Sequence, residues 1–417
     1  MTATTILGLT PGALEPWPEQ DRDIAFSAAE YHERIRRVRK RMAKDGIDLL
    51  YVTVPDHVAY LHGYMISWYK ANSPMRYPQL YGTAIHVDHD AFIHFDNPTE
   101  LPVLQKTSVS TDNRFFPSRD GAPNIAFVMN ELRAKGWLKG TVGLEYWGYV
   151  PNRAISTMLE GAFLAEGCRV VDASAIVRRV RRVKSPAEIA YIRKAVEIAD
   201  IGHATVVATA RPGMTELEVY GETLRAMMKA GGESPALVHS FTSGPIRGGR
   251  PVAHGHAMMG RKVIRAGEFL KIDIAGAYHR YHGNVQRGYV MGDPLKAMVE
   301  RTRLAAGAFD VFAAEVKAGM TVREVNGIMR RYYESVGLWN EPGWGVGYEL
   351  GLSLPPDWVG EFYFNVRDER WLDRVIKPNM VTNYESMFNT WLVDTCVYTP
   401  TGSPFMSKTP LALQGIG

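Results

Sequence analysis

Cysteine is nearly absent from this chain. Cys168 and Cys396 are the two in 417 residues and lie far apart, so neither a disulfide framework nor a thiolate metal site is on offer. Long apolar runs are missing too. No stretch approaches the roughly 18 consecutive apolar residues of a membrane span, and no basic-then-apolar leader opens the chain. Charge of one sign is not in excess either. A formal net charge of +4 gives no footprint for nucleic acid or a membrane surface. These deficits point to the cytoplasm. What is present is ordinary globular material, 46% hydrophobic and 22% charged, on a length that suits two domains or one large one.

Residues 1–27, with Pro11, Gly12, Pro16 and Pro18, read as an extended N-terminal arm. From residue 28 to 46 the pattern is an amphipathic helix: Tyr31, Ile35, Val38 and Met42 share a face, arginines take the solvated side, and Gly46 is the C-cap. A strand at 47–54 closes at Pro55-Asp56, and a short helix near 58–63 leads into Gly63-Tyr64-Met65-Ile66-Ser67-Trp68-Tyr69. That aromatic loop is either a hydrophobic plug or a wall of a ligand pocket. Further strands at 82–87, 91–95 and 141–145 alternate with helices near 123–135 and 151–166. The alternation predicts an α/β unit with a partly parallel sheet, ending near Asp172. Residues 173–184 carry Arg178, Arg179, Arg181, Arg182 and Lys184 and read as a basic linker.

Beyond it one grammar occurs twice. Ser185-Pro186-Ala187-Glu188 starts a long helix with a capping box, and Gly213-Met214-Thr215 turns into a second helix capped by Thr215 and Glu218. Residues 294–316, Gly319-Met320-Thr321 and a Thr321/Glu324 cap mirror this, which predicts an internal duplication. Between the halves lies the stretch around which the chain is organised, Glu268 to Gly292. Phe269 to Ala275 alternates as a buried strand, Gly276 breaks it, and Gln286 to Val290 is β-rich again, with a polar, aromatic bend between. Asp273 sits between Ile272 and Ile274, where a carboxylate is costly unless paired.

These markers, with Arg182-Val-Lys-Ser-Pro-Ala-Glu188, Ala266-Gly267-Glu268 and Asn379-Met-Val-Thr-Asn-Tyr-Glu385, resemble the creatinase, Xaa-Pro aminopeptidase and methionine-aminopeptidase superfamily. The resemblance implies an α/β fold class: a creatinase-like N-terminal domain at 28–180 and a pseudo-symmetric α+β pita-bread catalytic domain at 181–417. Metallopeptidases of this kind bind two metals through two Asp, one His and two Glu. The first Asp matches Asp273 and the first Glu matches Glu385, but the other positions hold Asn284, Tyr348 and Val393, with Asp394 beside the last. The resemblance therefore runs to the metal-free branch, and no cofactor is expected. Asp273-Ile-Ala-Gly-Ala-Tyr-His-Arg-Tyr-His282 and Gly347-Tyr348 through Pro355-Pro-Asp-Trp358 are most similar to the ectoine hydrolases.

That likeness implies hydrolysis of a C–N bond in a small nitrogenous solute, an ectoine-like cyclic amidine or a guanidino or N-methyl amino acid. The alternatives are a metal-dependent Xaa-Pro-type aminopeptidase, a lyase acting on a sulfonium solute, and an inactive small-molecule binding protein. The expected catalytic group is Asp273 as nucleophile or base, Glu385 as acid or cation anchor, His254 or His256 as proton shuttle, and Tyr348 as a donor to a developing anion. Arg280 and Arg287 are candidates for a substrate carboxylate. Tyr64, Trp68, Tyr278, His282 and Trp358 are candidates for lining the substrate site, aromatic faces holding a cationic group. The family likeness also implies a homodimer, with no nucleic acid or membrane partner.

Overall fold

The structure is a computed structural model that describes residues 16–69, 80–252 and 257–417. The chain divides into two compact units, 1–181 and 182–417. The predicted N-terminal arm falls largely outside the described residues; its described end holds a single turn of 3-10 helix, Glu19–Asp21. Among the described residues no helix is long and apolar enough to cross a membrane.

In the first unit the order is α1 (Ala28–Asp45), β1 (Leu49–Val52), α2 (Pro55–His62), β2 (Gly82–His86), β3 (Phe92–Asp96), α3 (Leu101–Thr107), β4 (Asn113–Phe115), α4 (Gly121–Ala134), β5 (Thr141–Leu144), α5 (Arg153–Ala165), β6 (Arg169–Asp172) and α6 (Ala175–Arg181). Six strands form one sheet in the order β4-β3-β2-β1-β5-β6. It is mixed: β1–β2 and β2–β3 are antiparallel, while β1–β5, β5–β6 and β3–β4 are parallel. Ser27 caps α1 through its hydroxyl and Gly46 ends it at φ 68°, a left-handed conformation that glycine adopts without strain. The basic linker expected at 173–184 is instead largely helical. Ile176, Val177 and Val180 recur at helical spacing and are buried, and the arginines occupy what is left of α6.

The second unit contains α7 (Pro186–Thr209), α8 (Glu216–Lys229), β7 (Ser240–Gly244), the small ribbon β8 (Ile246–Arg247) and β9 (Arg250–Pro251), β10 (Phe269–Tyr278), β11 (Tyr281–Met291), α9 (Lys296–Glu315), α10 (Val322–Ser335), β12 (Trp344–Tyr348), β13 (Tyr363–Asn365), β14 (Val381–Met387), β15 (Leu392–Val397) and β16 (Gln414–Ile416). Its main sheet runs β13-β12-β14-β15-β11-β10-β7, with β16 added beside β11. The duplication is visible at the level of dihedral angles. Gly213 and Gly319 both have φ 97°, and Thr215 and Thr321 both cap at φ −80°, ψ 158° with complete capping boxes. Each half has its own apolar core. One gathers Ile198, Val206, Val219, Ile272 and Ile274; the other gathers Phe309, Phe312, Val325, Met329 and Tyr384.

Two features of the central hairpin differ from the sequence reading. The strand does not stop at Gly276: β10 continues to Tyr278, and only His279 and Arg280, at φ 45° and 63°, make the turn. Two successive positive φ values give the tight connection whose twist suits a two-residue hairpin. Gly276 is there for a different reason. It pairs with Gly283 across the hairpin; a Cβ at Gly276 would run into the Ala195 carbonyl of α7, and one at Gly283 into the Val196 side chain with the Val196 backbone close behind. The two glycines let α7 lie directly on the sheet. Helix backbone cannot move aside cheaply, so Gly276→Ala is expected to destabilise the second unit by about 3 kcal/mol. A urea midpoint unchanged from wild type would contradict this packing.

Candidate active site

Strand alternation decides which side chains meet. On β10 the even positions Ile272, Ile274 and Gly276 face α7, so Lys271 and Asp273 face the other way. Asp273 pairs with Gln286 and Ala275 with Asn284, so those β11 side chains share the Asp273 face. Gln286 and Glu385 both pair with Val393, and Val346 pairs with Glu385, which brings Glu385, Asn383, Tyr348 and Trp344 to the same face. The result is a cavity of about 740 Å³ whose lining includes Lys271, Asp273, Gln286, Trp344, Tyr348, Trp358, Glu385, Asn389 and Trp391. A hollow of about 840 Å³ in the first unit offers no comparable set; its Glu19 and Arg22 pair with each other.

Both carboxylates are held by N–H donors. Asn284 Nδ2 donates to Asp273 Oδ1 at 2.8 Å. Glu385 Oε1 accepts from Asn383 Nδ2, and its Oε2 from Trp344 Nε1, each at 3.2 Å. Asn284 Oδ1 in turn accepts from Asn383 Nδ2 at 3.2 Å and from the Tyr348 hydroxyl at 3.5 Å, so one amide network links both acids. Burial, reinforced by the charge of Asp273, pushes the Glu385 carboxyl up to about 7, against the pull of its two donors and of Lys271. Burial first, and then Glu385 and Asp273, raise the Tyr348 phenol well above its ordinary range, so it remains a donor. The Trp358 indole N–H lies towards the Tyr348 oxygen and favours its ionised form slightly, without reaching hydrogen-bond geometry. Lys271 is 3% exposed, and burial lowers its ammonium pKa while Asp273 and Glu385 oppose the shift.

Of the residues singled out in the sequence, Asp273, Glu385, Tyr348 and Trp358 line this cavity. His254 and His256 lie outside the described residues. Within the second unit the other candidates lie off this lining. Arg287 belongs to the α7 face by strand parity. It is fully buried there, with Nη2 2.8 Å from Asp394 Oδ2 and further bonds to the carbonyls of Val393, Thr409 and Pro410. It locks strands together instead of meeting substrate, and Asp394, held on that same face, is no substitute for a ligand at Val393. Arg280 closes the hairpin turn on Glu233 and the Ser234 carbonyl. Tyr278 packs edge-on against Tyr191 of α7. His282 is 0% exposed; its Nε2 accepts the Ala236 N–H, burial pushes it down to about 3, and it stacks behind Trp358. In the first unit Tyr64 is buried and donates to Asp96, with Ile66 and Tyr69 buried beside it in sequence, so most of the aromatic loop is a plug. Trp68 is 49% exposed on that unit.

The sequence reading passed over Lys271, Asn383, Trp344, Asn389 and Trp391. Counting by two from Asp273 and from Glu385 would have found the first two. The described side chains of the cavity do not make up a metal-binding donor set. Among the described residues no three His, Cys, Asp or Glu side chains gather. Asn284 also turns its N–H, not its oxygen, towards Asp273, where a shared cation would require an oxygen.

Two like halves on one sheet, with paired carboxylates facing a cavity, define a pita-bread catalytic domain. The chain belongs to metallopeptidase family M24, which residues 190–400 match, and residues 34–183 match the creatinase/prolidase N-terminal domain. It is 26% identical over 390 residues to the ectoine hydrolase of Halomonas elongata, covering 89% of this chain and 92% of that protein. It is 24% identical over 384 residues to the Xaa-Pro dipeptidase of Pyrococcus furiosus, covering 90% and 98%. The solved Xaa-Pro dipeptidase of Bacillus anthracis superposes with a TM-score of 0.74 at 22% identity, covering 93% of this chain and all of that one, a likeness of fold.

Proposed function

We propose that this protein hydrolyses a C–N bond in a small nitrogenous solute without a metal, with an ectoine-like cyclic amidine as the first candidate. The observation that carries the proposal is the amide network. Asn284, Asn383 and Trp344 hold Asp273 and Glu385 through N–H groups, on oxygens that a bound cation would otherwise occupy. The similarity to an ectoine hydrolase along nine-tenths of the chain supports a non-peptide substrate. The aromatic walls Trp344, Tyr348 and Trp358 suit a delocalised cation such as an amidinium.

In this reading Asp273 either deprotonates the water that attacks the amidine carbon, or attacks that carbon itself to form a covalent intermediate that water then hydrolyses, freeing the carboxylate. As the C–N bond breaks, the departing nitrogen takes the Glu385 proton. Tyr348, a phenol at neutral pH, donates to the charge that builds up between them. One of His254 and His256 is proposed to return the proton.

The competing assignment is a metal-dependent Xaa-Pro peptidase, favoured by the family and by the dipeptidase relative. Metal analysis separates the two. Purified protein is expected to hold well under about one equivalent of transition metal per chain, given too few ligands, and to open ectoine equally well before and after chelation. Activity that vanishes with a chelator and returns with manganese would overturn the proposal.

A further inference from the structure

The substrate carboxylate needs a partner, and neither arginine read from the sequence faces the cavity. The wall nearest Lys271 offers a different set. Between β14 and β15 the chain turns through Asn389 and Trp391, with φ of 60° and 56°. Asparagine tolerates the left-handed region, but a tryptophan there is an outlier of the kind that persists where the surroundings hold it. Both side chains line the cavity, and both present a buried donor, Asn389 Nδ2 and Trp391 Nε1, with no acceptor among the described residues. The Lys271 ammonium lies 5.3 Å from the centre of the Trp391 ring and 3.4 Å from Ser240 Oγ. All three groups donate, one carries a positive charge, and two are buried donors of a type that structures seldom leave without an acceptor. Arg250, the other cationic side chain among the described lining residues, is largely exposed and leans towards Glu341.

We propose that Lys271, Asn389 and Trp391 form a carboxylate subsite at the β14–β15 turn. Resting on the reading that Asp273 as base or nucleophile and Glu385 as acid cleave a C–N bond, the subsite makes the preferred substrate a small zwitterion. Its anionic end is held by Lys271 and the turn, and its cationic nitrogen faces the two acids and the aromatic wall. A neutral carboxamide in the same position would lose the charge-assisted bond to Lys271 and set its own N–H group against the donors.

Acetate and acetamide, at matched ionic strength, test the subsite without any turnover. Acetate is expected to raise the melting temperature of the wild type and to change its tryptophan fluorescence saturably, with acetamide doing neither. In Lys271→Met and Asn389→Asp the acetate affinity is expected to fall about tenfold or more, the scale of a hydrogen bond to a charged group. Trp391→Phe, which keeps the ring and removes only the N–H, is expected to lose a smaller factor in the same direction while its melting temperature without ligand is unchanged. Equal responses to acetate and acetamide in the wild type, or a preference for acetate that survives in all three variants, would overturn the subsite. Ectoine turnover is measured alongside. Turnover with no acetate preference sinks the subsite alone; an intact acetate preference with no ectoine turnover supports the subsite and sinks the ectoine reading.

Discussion

If the proposed C–N hydrolysis is the activity, Asp273→Asn is expected to lower its kcat by about 100-fold or more, the scale of losing a general base or nucleophile, with KM changed far less. The substitution is nearly isosteric. Its amide oxygen can still accept from Asn284 Nδ2, which holds the native carboxylate at 2.8 Å. Geometry therefore survives and the charge does not. A second readout separates chemistry from collapse. The Asp273 charge helps to raise the Glu385 pKa, so the variant should shift the Glu385 limb of the pH profile to lower pH while its urea midpoint holds. Turnover near the wild-type level on a verified substrate would dismiss Asp273, leaving Glu385 and Tyr348 as the pair to test.

What could be read from the sequence was mostly local. The caps at Ser185/Glu188, Thr215/Glu218 and Thr321/Glu324 are short-range chemistry, and all three form with both halves of the capping box in place. The family resemblance singled out Asp273 and Glu385 because their neighbours in sequence are distinctive. Misreadings arose where tertiary contacts decide. Gly276 looks like a break in a strand, yet what it answers to is the Ala195 carbonyl of a helix eighty residues earlier. The 173–184 stretch was dominated by its arginines, and the three apolar residues that make it a helix are buried beneath them. Arg287 drew attention by its charge, but parity sends it to the covered face and sends Lys271 to the cavity. No local pattern announces that Trp391 is held at a positive φ. That conformation comes from the turn closing two paired strands.

Glu385→Gln is the companion experiment, and its pH dependence is the sharper part. In the native protein burial raises this carboxyl from 4.5 to about 7, so it keeps its proton across the mildly acidic range. If that proton goes to the leaving nitrogen, wild-type kcat is full well below pH 7 and falls as pH rises through about 7. Gln has no proton to give, so the variant should lose about 100-fold or more in kcat, and the limb near pH 7 should disappear from what activity remains. A substrate analogue whose leaving nitrogen needs no protonation should recover most of the loss. Stability changes with the opposite benefit. Between pH 4.5 and about 7 the folded chain binds a proton at Glu385 that the unfolded chain has released, so native stability decreases as pH rises across that window. Gln, neutral throughout, removes that slope, and Glu385→Gln should be the more stable protein above pH 7 while being the poorer catalyst at every pH. A pH limb near 7 that persists unchanged in Glu385→Gln would assign the titration to another group and remove Glu385 from the role of acid.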